Sequence, residues 1–120
     1  MERPYRCSCH CGEVVFEVDA DLTGLTECNC STCRRHGFLH WKVKQWAVRL
    51  ITEKRLLANY MWRGVGGHQF CPRCGTSLFR FPYPGDRISV NARSIEGIDP
   101  FTLEITRYDG RSDMPPGPLP

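Results

Sequence analysis

The chain has 120 residues, enough for one domain with a modest core and too few for two. Sixteen basic and 13 acidic residues give a net charge of +3, which is too small and too evenly spread to argue for a nucleic-acid partner. No stretch approaches the roughly 20 apolar residues of a membrane helix, and the N-terminus lacks the apolar run of a signal peptide. We therefore expect a cytoplasmic protein with no membrane partner.

Short strands are predicted along most of the chain. Apolar and polar side chains alternate at 14–18 and at 39–44, as in half-buried strands. The segment 53–62 fits either a strand or about three turns of helix, and we favour the strand. A turn is expected at Gly64, Gly66 and Gly67. The other predicted strands lie at 46–51, 77–81, 87–91 and 101–107. Many short strands with turn residues between them indicate a mainly β fold.

The end of the chain differs in composition from the rest. From Gly110 onward it is rich in proline and has too little apolar surface to offset the entropy of ordering. We expect one domain at 1–110 and a flexible, Pro-rich tail at 111–120.

Eight cysteines fall in three tight clusters, which in a reducing compartment indicates metal ligation rather than disulfides. The clusters are Cys7-Ser-Cys9-His-Cys11-Gly12, Cys28-Asn-Cys30-Ser-Thr-Cys33 and Cys71-Pro-Arg-Cys74-Gly75.

The last cluster has the pattern of a zinc knuckle, in which a tight turn brings two thiolates to one metal and glycine supplies the unusual dihedral angles. Two ligands do not complete a tetrahedral site. Cys9 and Cys11, on one face of an extended segment and followed by Gly12, are the natural second pair, although any two of Cys7, Cys9 and Cys11 fit the spacing. Four thiolates leave no open position, so this site is predicted to be structural.

The middle cluster supplies three thiols within six residues. An incomplete set is typical of a catalytic or substrate-binding zinc, whose fourth position takes water or an incoming thiol. The alternative is a second structural zinc with a fourth protein ligand. The candidates for that ligand are Cys7, His10, His36 and His68.

Two further sets of residues are candidates for substrate contacts. The basic run Arg34-Arg35-His36 follows the middle cluster and could hold an anionic group or lower the pKa of a thiolate, although such a run is more often only solvated. Aromatic residues could line an apolar pocket, but packing in the core is the default expectation. They are Trp41, Trp46, Tyr60 and Trp62. A single histidine such as His40 is more often a surface residue or a neighbour of a metal ligand than a ligand itself.

With these clusters in place, the sequence resembles the glutathione-dependent formaldehyde-activating family, which includes the centromere protein V branch. The segments that carry the resemblance are Cys9-His-Cys11-Gly-Glu-Val-Val-Phe-Glu, Cys28-Asn-Cys30-Ser-Thr-Cys33-Arg-Arg-His-Gly37, His68-Gln-Phe-Cys71-Pro-Arg-Cys74-Gly75, Val90-Asn-Ala-Arg and Tyr108-Asp-Gly. The order of the three cysteine clusters is its most specific part.

The resemblance implies a zinc-stabilised β-tent fold of short antiparallel strands with two zinc ions per chain. It implies structural ligands at Cys9, Cys11, Cys71 and Cys74, and a second zinc at Cys28, Cys30 and Cys33. Cys7 stands where a glycine is usual in the family, so it is a candidate for an extra ligand.

Two functions are compatible with these predictions. The first is a carbon–sulfur lyase or synthase that adds a small-molecule thiol, such as glutathione, to formaldehyde or a related aldehyde, with the thiol held at the second zinc. The second is a non-catalytic, zinc-stabilised module that binds glutathione or a protein partner. A zinc-ribbon-like nucleic-acid role ranks third because the charge is mild. The sequence does not indicate an oligomeric state.

Overall fold

The computed structural model describes residues 2–61 and 66–113 of the chain. This part is mainly β, as the sequence predicts, and forms one compact domain. Its ten strands are β1 (Tyr5–Ser8), β2 (Val15–Val18), β3 (Leu25–Cys28), β4 (Leu39–Lys44), β5 (Val48–Leu50), β6 (Ala58–Met61), β7 (Gly67–Phe70), β8 (Ser77–Tyr83), β9 (Arg87–Asn91) and β10 (Ile105–Tyr108). The α-helices are α1 (Ser31–His36) and α2 (Gly110–Asp113). Within these described ranges, no helix is long and apolar enough to cross a membrane.

The strands form two sheets. One has the order β1-β2-β5, and the other has the order β10-β3-β4-β9-β8-β7-β6. The expectation of antiparallel strands holds for every neighbouring pair except β10 and β3, which run in parallel with Tyr108 opposite Cys28. A short turn imposes antiparallel pairing on consecutive strands, but β10 reaches β3 from a distant part of the sequence, so no turn sets its direction.

One face of β2 packs against the core. The predicted alternation of apolar and polar side chains at 14–18 is confirmed there. Val14, Phe16 and Val18 are fully buried, whereas the side chains between them are partly exposed. The Phe16 ring packs on Phe79 of β8 with 4.6 Å between ring centroids. Burial of each large apolar side chain contributes roughly 1.5–3 kcal/mol, so this cluster is the main apolar support of the fold.

Of the aromatic residues singled out in the sequence, the three that the structure describes do not form one pocket. Trp41 is fully buried in the core, and its indole N–H donates to the carbonyl oxygen of Asp21 at 2.9 Å. Trp46 is 74% exposed and Tyr60 is 37% exposed. Core packing is therefore confirmed for Trp41 and wrong for Trp46, while Trp62 lies outside the described residues.

Several element boundaries differ from those predicted. The segment 53–62 begins with a 3-10 turn at Lys54–Leu56 and then forms β6, so the strand is confirmed for its second half. The segment 101–107 likewise divides into a 3-10 turn at Pro100–Thr102 and β10. Gly67, predicted in a turn, begins β7, and Gly64 lies outside the described residues. Strands β1, β3 and β7 were not predicted, because each has only four residues and no clear alternation.

The start of the predicted tail is helical. Gly110–Asp113 forms α2 directly after β10, and Gly110 is buried. The remaining residues of the predicted tail, 114–120, lie outside the described part of the chain.

Candidate metal centres

The first candidate centre, the four-cysteine group, consists of Cys9, Cys11, Cys71 and Cys74. It is built by two similar turns. The Gly12 amide donates to the Cys9 carbonyl oxygen at 3.2 Å, and the Gly75 amide donates to the Cys71 carbonyl oxygen at 2.7 Å. Both glycines have left-handed backbones, with φ of 82° and 80°.

The expectation that Cys9 and Cys11 lie on one face of an extended segment is therefore wrong. Strand β1 ends at Ser8, and the chain then turns. Because Gly12 takes a positive φ, the turn itself brings the two thiols together.

The sulfur positions of the four-cysteine group fit a zinc ion. All four Sγ atoms lie within 4.8 Å of one another, and no disulfide links them. The Cys9–Cys11 distance is 3.6 Å and the Cys11–Cys71 distance is 3.7 Å between Sγ atoms. A tetrahedral zinc with bonds of about 2.3 Å to sulfur separates its thiolates by about 3.8 Å. The group could therefore hold one metal ion with all four ligands supplied by protein.

Contacts outside the sulfurs also hold the two turns together. The His10 amide donates to the Thr76 hydroxyl at 3.1 Å, and the Arg73 guanidinium pairs with Glu13 at 2.9 Å. Burial opposes ionisation of Cys74, but hydrogen bonds from the Thr76 hydroxyl and from backbone amides outweigh it and lower the pKa of Cys74 to about 5. The site therefore contains a thiol that is ionised at neutral pH and ready to bind a cation.

The second candidate centre, the three-cysteine group, consists of Cys28, Cys30 and Cys33. Cys28 ends β3, and Cys30 is the N-cap of α1, where its Sγ accepts the amide of Cys33 at 3.4 Å. The Cys28 Sγ in turn accepts the amide of Cys30 at 3.5 Å. Gly37, with φ of 62°, then ends the helix. One strand end and one helical turn thus place three sulfurs within 4.8 Å of one another.

The thiols of the three-cysteine group are not equivalent. Burial raises the pKa of Cys33 well above its ordinary value. It also acts on Cys30, but hydrogen bonds from the Thr32 hydroxyl and the Cys33 amide outweigh it and lower the pKa of Cys30 to about 7. Cys30 is therefore the first thiol of the group to become a thiolate as the pH rises.

His40 lies against the three-cysteine group. Its Nε2 is 3.1 Å from the Cys33 Sγ, and its Nδ1 is 2.7 Å from the Ser89 hydroxyl. Burial, together with the charges of Lys42 and Arg80, lowers the pKa of His40 to about 3, so the ring is neutral at pH 7. In the tautomer that carries its proton on Nε2, the ring donates to the Cys33 Sγ and accepts from the Ser89 hydroxyl at Nδ1, which the Tyr83 hydroxyl also approaches at 3.4 Å.

Sequence reasoning did not select His40. The register of β3 and β4, which sets Thr26 opposite His40, brings it to the cysteines, and no local pattern records that register. Within residues 2–61 and 66–113, neither cysteine group includes any of the proposed fourth ligands, which are Cys7, His10, His36 and His68.

The proposed fourth ligands lie in other surroundings. Cys7 is fully buried in β1, where its Sγ is 3.8 Å from the carbonyl oxygen of Tyr5 and burial raises its pKa to about 12. His10 is exposed beside the four-cysteine group. His36 stacks on the fully buried His68 with 5.0 Å between ring centroids.

Two cavities border the three-cysteine group. The basic cavity has a volume of about 650 Å³, and its lining includes Cys28, Cys30, Cys33, Lys42, Arg80 and Tyr83. The mixed-charge cavity, of about 440 Å³, is lined by Cys28, Cys33, Glu27, Arg34, Arg93 and Arg107, among others. The residues of the predicted basic run do not act together at one cavity. Arg34 lines the mixed-charge cavity, whereas the Arg35 guanidinium donates to the Ser31 carbonyl oxygen at 3.0 Å.

A mainly β domain with one closed four-thiol site and one three-thiol site beside two cavities defines a class of cysteine-rich, metal-binding proteins. Residues 4–96 match the family model of the glutathione-dependent formaldehyde-activating enzyme, and the chain belongs to this family, as its resemblance implies. The family's activity is glutathione-dependent formaldehyde activation in general. A crystal structure of a Rhodobacter sphaeroides protein is similar at 28% sequence identity with a TM-score of 0.76, covering 86% of this chain and 99% of that one.

Proposed function

We propose that this protein is a zinc-dependent carbon–sulfur lyase or synthase that joins a thiol such as glutathione to formaldehyde or a related aldehyde. With glutathione and formaldehyde the product is S-(hydroxymethyl)glutathione. One observation carries the proposal: the three-cysteine group offers three thiols where a tetrahedral metal needs four ligands, and it borders two cavities. The family match supports the choice of substrates.

The donor sets fit two zinc ions with different roles. The four-cysteine group would hold a structural ion, and the three-cysteine group would hold a second one. Cys28, Cys30 and Cys33 would hold that second ion, which would supply a Lewis acid that lowers the pKa of an incoming thiol.

The chain's own residues orient and polarise the site. In the tautomer with its proton on Nε2, the neutral His40 would donate to Cys33 and stabilise a thiolate there. Burial raises the pKa of Tyr83 to about 12, so its hydroxyl keeps its proton. This hydroxyl lies 3.4 Å from the His40 Nδ1 and would donate to an aldehyde oxygen by turning away from that contact.

The overall reaction balances without an oxidant or reductant. The thiol sulfur forms a bond to the carbonyl carbon as the C=O double bond becomes a single bond. The proton released by the thiol ends on the former carbonyl oxygen, and the reverse reaction breaks the same carbon–sulfur bond. A thiolate is the reacting form, so stabilising it at neutral pH is the main contribution expected of the site.

Zinc counting combined with kinetics tests the proposal. We expect two zinc ions per wild-type chain and one per Cys30→Ser chain. The wild type should accelerate glutathione–formaldehyde exchange, measured by NMR, and Cys30→Ser should not. Cys7→Ser is the matched control, because Cys7 belongs to neither cysteine group, and it should keep both ions.

Two results would contradict the proposed enzyme activity. One is wild-type protein that holds two zinc ions and leaves the exchange rate unchanged. The other is a second zinc with four protein ligands that does not respond to glutathione, which would leave the non-catalytic binding module.

A further inference from the structure

One wall of the basic cavity carries two cations on the same face of the large sheet. Lys42 of β4 and Arg80 of β8 both lie opposite Ser89 of β9, one on each side of it. Residues opposite each other in a register share a face, so all three side chains emerge on the cavity side. With neighbouring strands about 5 Å apart, the two cationic residues are set about 10 Å apart at the backbone.

Both cations converge on Tyr83. The Lys42 ammonium lies 5.3 Å from the centre of the Tyr83 ring, and the Arg80 guanidinium carbon lies 5.5 Å from it. Cation–π contacts of this kind restrain long side chains without neutralising their charge. The ring therefore holds two positive groups toward one region of the cavity.

The charge of this pair is not balanced by protein. Among the residues that the structure describes, no carboxylate forms an ion pair with Lys42 or Arg80. The mixed-charge cavity differs, because Arg93 and Arg107 both lie 3.6 Å from carboxylate oxygens of Glu27. Of the two cavities described beside the three-cysteine group, the basic cavity is the one with two uncompensated cations on its wall.

The contacts between the sulfurs and the cations indicate the length of the ligand. The Cys33 Sγ contacts one side of the His40 ring at 3.1 Å, and Ser89, which stands between Lys42 and Arg80, contacts the other side at 2.7 Å. The Ser89 hydroxyl, on the strand between the two cationic residues, is therefore separated from the Cys33 sulfur by the width of an imidazole ring and two hydrogen bonds. Three extended residues span up to about 10 Å, so a carboxylate joined to its thiol by a peptide has the right reach.

We propose that Lys42 and Arg80 form a carboxylate subsite that selects thiols of peptide size with a free carboxylate over neutral thiols. The subsite rests on the proposed function in one respect, namely that the thiol sulfur enters at the three-cysteine group. It assigns anion binding to Lys42 and Arg80 instead of the predicted run Arg34-Arg35-His36.

The test is a binding experiment on the zinc-loaded protein, so it does not depend on turnover. Glutathione and 2-mercaptoethanol are titrated by calorimetry into wild type, Lys42→Gln and Arg80→Gln. We expect the dissociation constant for glutathione to rise about tenfold in each variant, and that for 2-mercaptoethanol to stay unchanged, since only glutathione loses a charge-assisted contact. Added salt should weaken glutathione binding more in wild type than in the variants.

Three further variants make the result specific. Lys44→Gln is the matched control, because Lys44 follows Lys42 by two residues on β4 but donates to the Gly85 carbonyl oxygen at 2.8 Å, and it should bind glutathione as wild type does. Arg80→Lys keeps the charge and should recover most of the affinity. Arg34→Gln should have little effect, and circular dichroism and zinc content establish that each variant is folded.

Equal weakening of both thiols in Lys42→Gln and Arg80→Gln would overturn the subsite, as would a loss of glutathione affinity in Arg34→Gln alone. Charge-selective binding without faster adduct formation would retain the subsite and refute the enzyme. Faster adduct formation by the wild type, with unchanged glutathione affinity in Lys42→Gln and Arg80→Gln, would support the enzyme and refute the subsite.

Discussion

The four-cysteine and three-cysteine groups use the same ligand atom in two different ways. The four-cysteine group joins turns about 60 positions apart in sequence, since Cys11 and Cys71 meet at 3.7 Å. The three-cysteine group takes all its thiols from one segment, Cys28 to Cys33, beside two cavities. By the loop-closure estimate for cross-links, tying 60 residues stabilises a fold by about 4 kcal/mol and tying six by about 2 kcal/mol. Ligands far apart in sequence thus stabilise the fold more than ligands from one segment do.

Removal of one ligand from the four-cysteine group should have the largest effect. We expect Cys74→Ser to unfold the domain, because a structural zinc supplies roughly 10 kcal/mol or more of binding free energy, comparable with the whole stability of a small domain. Far-UV circular dichroism and zinc content measure the loss. Cys7→Ala, which removes a buried thiol outside both groups, should remain folded with both ions. A folded Cys74→Ser protein would show that this group is not a structural site.

Low pH should destabilise the contact between β7, which leads to the four-cysteine group, and α1, which carries part of the three-cysteine group. His68, on the strand that leads to Cys71, stacks on His36 at the end of α1, and burial lowers the pKa of His68 from 6.5 to about 4. Both of its ring nitrogens lack a hydrogen-bond partner in the described part of the chain. Between those two pKa values only the unfolded chain takes up the proton, so stability is full above pH 6.5 and falls as the pH drops to 4.

We therefore expect this histidine to cost up to about 3 kcal/mol of stability in acid, at about 1.4 kcal/mol per pKa unit. His68→Phe removes the titrating ring, so its free energy of unfolding should fall less than that of wild type over this pH range. Urea unfolding at several pH values measures the slopes. Equal slopes in His68→Phe and wild type would contradict the expectation.

Removal of a ligand from the three-cysteine group should be milder than the loss of Cys74. We expect Cys33→Ser to keep the fold and one zinc ion, because three thiols from one segment also bind metal in the unfolded chain, so the lost ion contributes little to folding. Release of its short loop should cost about 2 kcal/mol of stability. Chemical denaturation and metal analysis test this. Unfolding as complete as that of Cys74→Ser would remove the proposed distinction between the two centres.

A single methyl group should disturb one centre and spare the other. A Cβ added at Gly110 would lie 2.5 Å from the Cys28 Sγ, whereas a Cβ at Gly75 would meet nothing within 4 Å. We expect Gly110→Ala to weaken binding of the second metal about tenfold, as measured by chelator competition, on the scale of changes next to metal ligands. Gly75→Ala should keep both metals and lose about 1 kcal/mol of stability from its positive φ. Equal metal affinities in the two variants would contradict this contrast.

The sequence predicts what is local and misses what depends on register. Cysteine spacing and the following glycines indicate both groups, because each knuckle or helical turn is built from adjacent residues. The placement of His40 depends on its pairing with Thr26, and the placement of Lys42 beside Arg80 depends on two strand pairs. Strand register is fixed by the packing of whole sheets, so these neighbours could not be inferred from spacing.

The same limit explains the misassigned elements. β3 carries Glu27 and ends in a cysteine, so its four residues show little β signal, yet pairing on both edges makes it a strand. β7 begins with Gly67, which indicates a turn when considered alone. Tertiary pairing overrides such weak local preferences.

The parallel pairing of β10 with β3 also orders events during synthesis. The segment Cys28 to Cys33 leaves the ribosome early, and its three thiols need only their own turn to converge. Cys71 and Cys74 emerge later, and the Gly110 backbone that lies against Cys28 emerges later still. At 5–20 residues per second, roughly, the chain takes several seconds to pass from Cys33 to Gly110. The three-cysteine group can therefore form in a nascent chain before the four-cysteine group is complete.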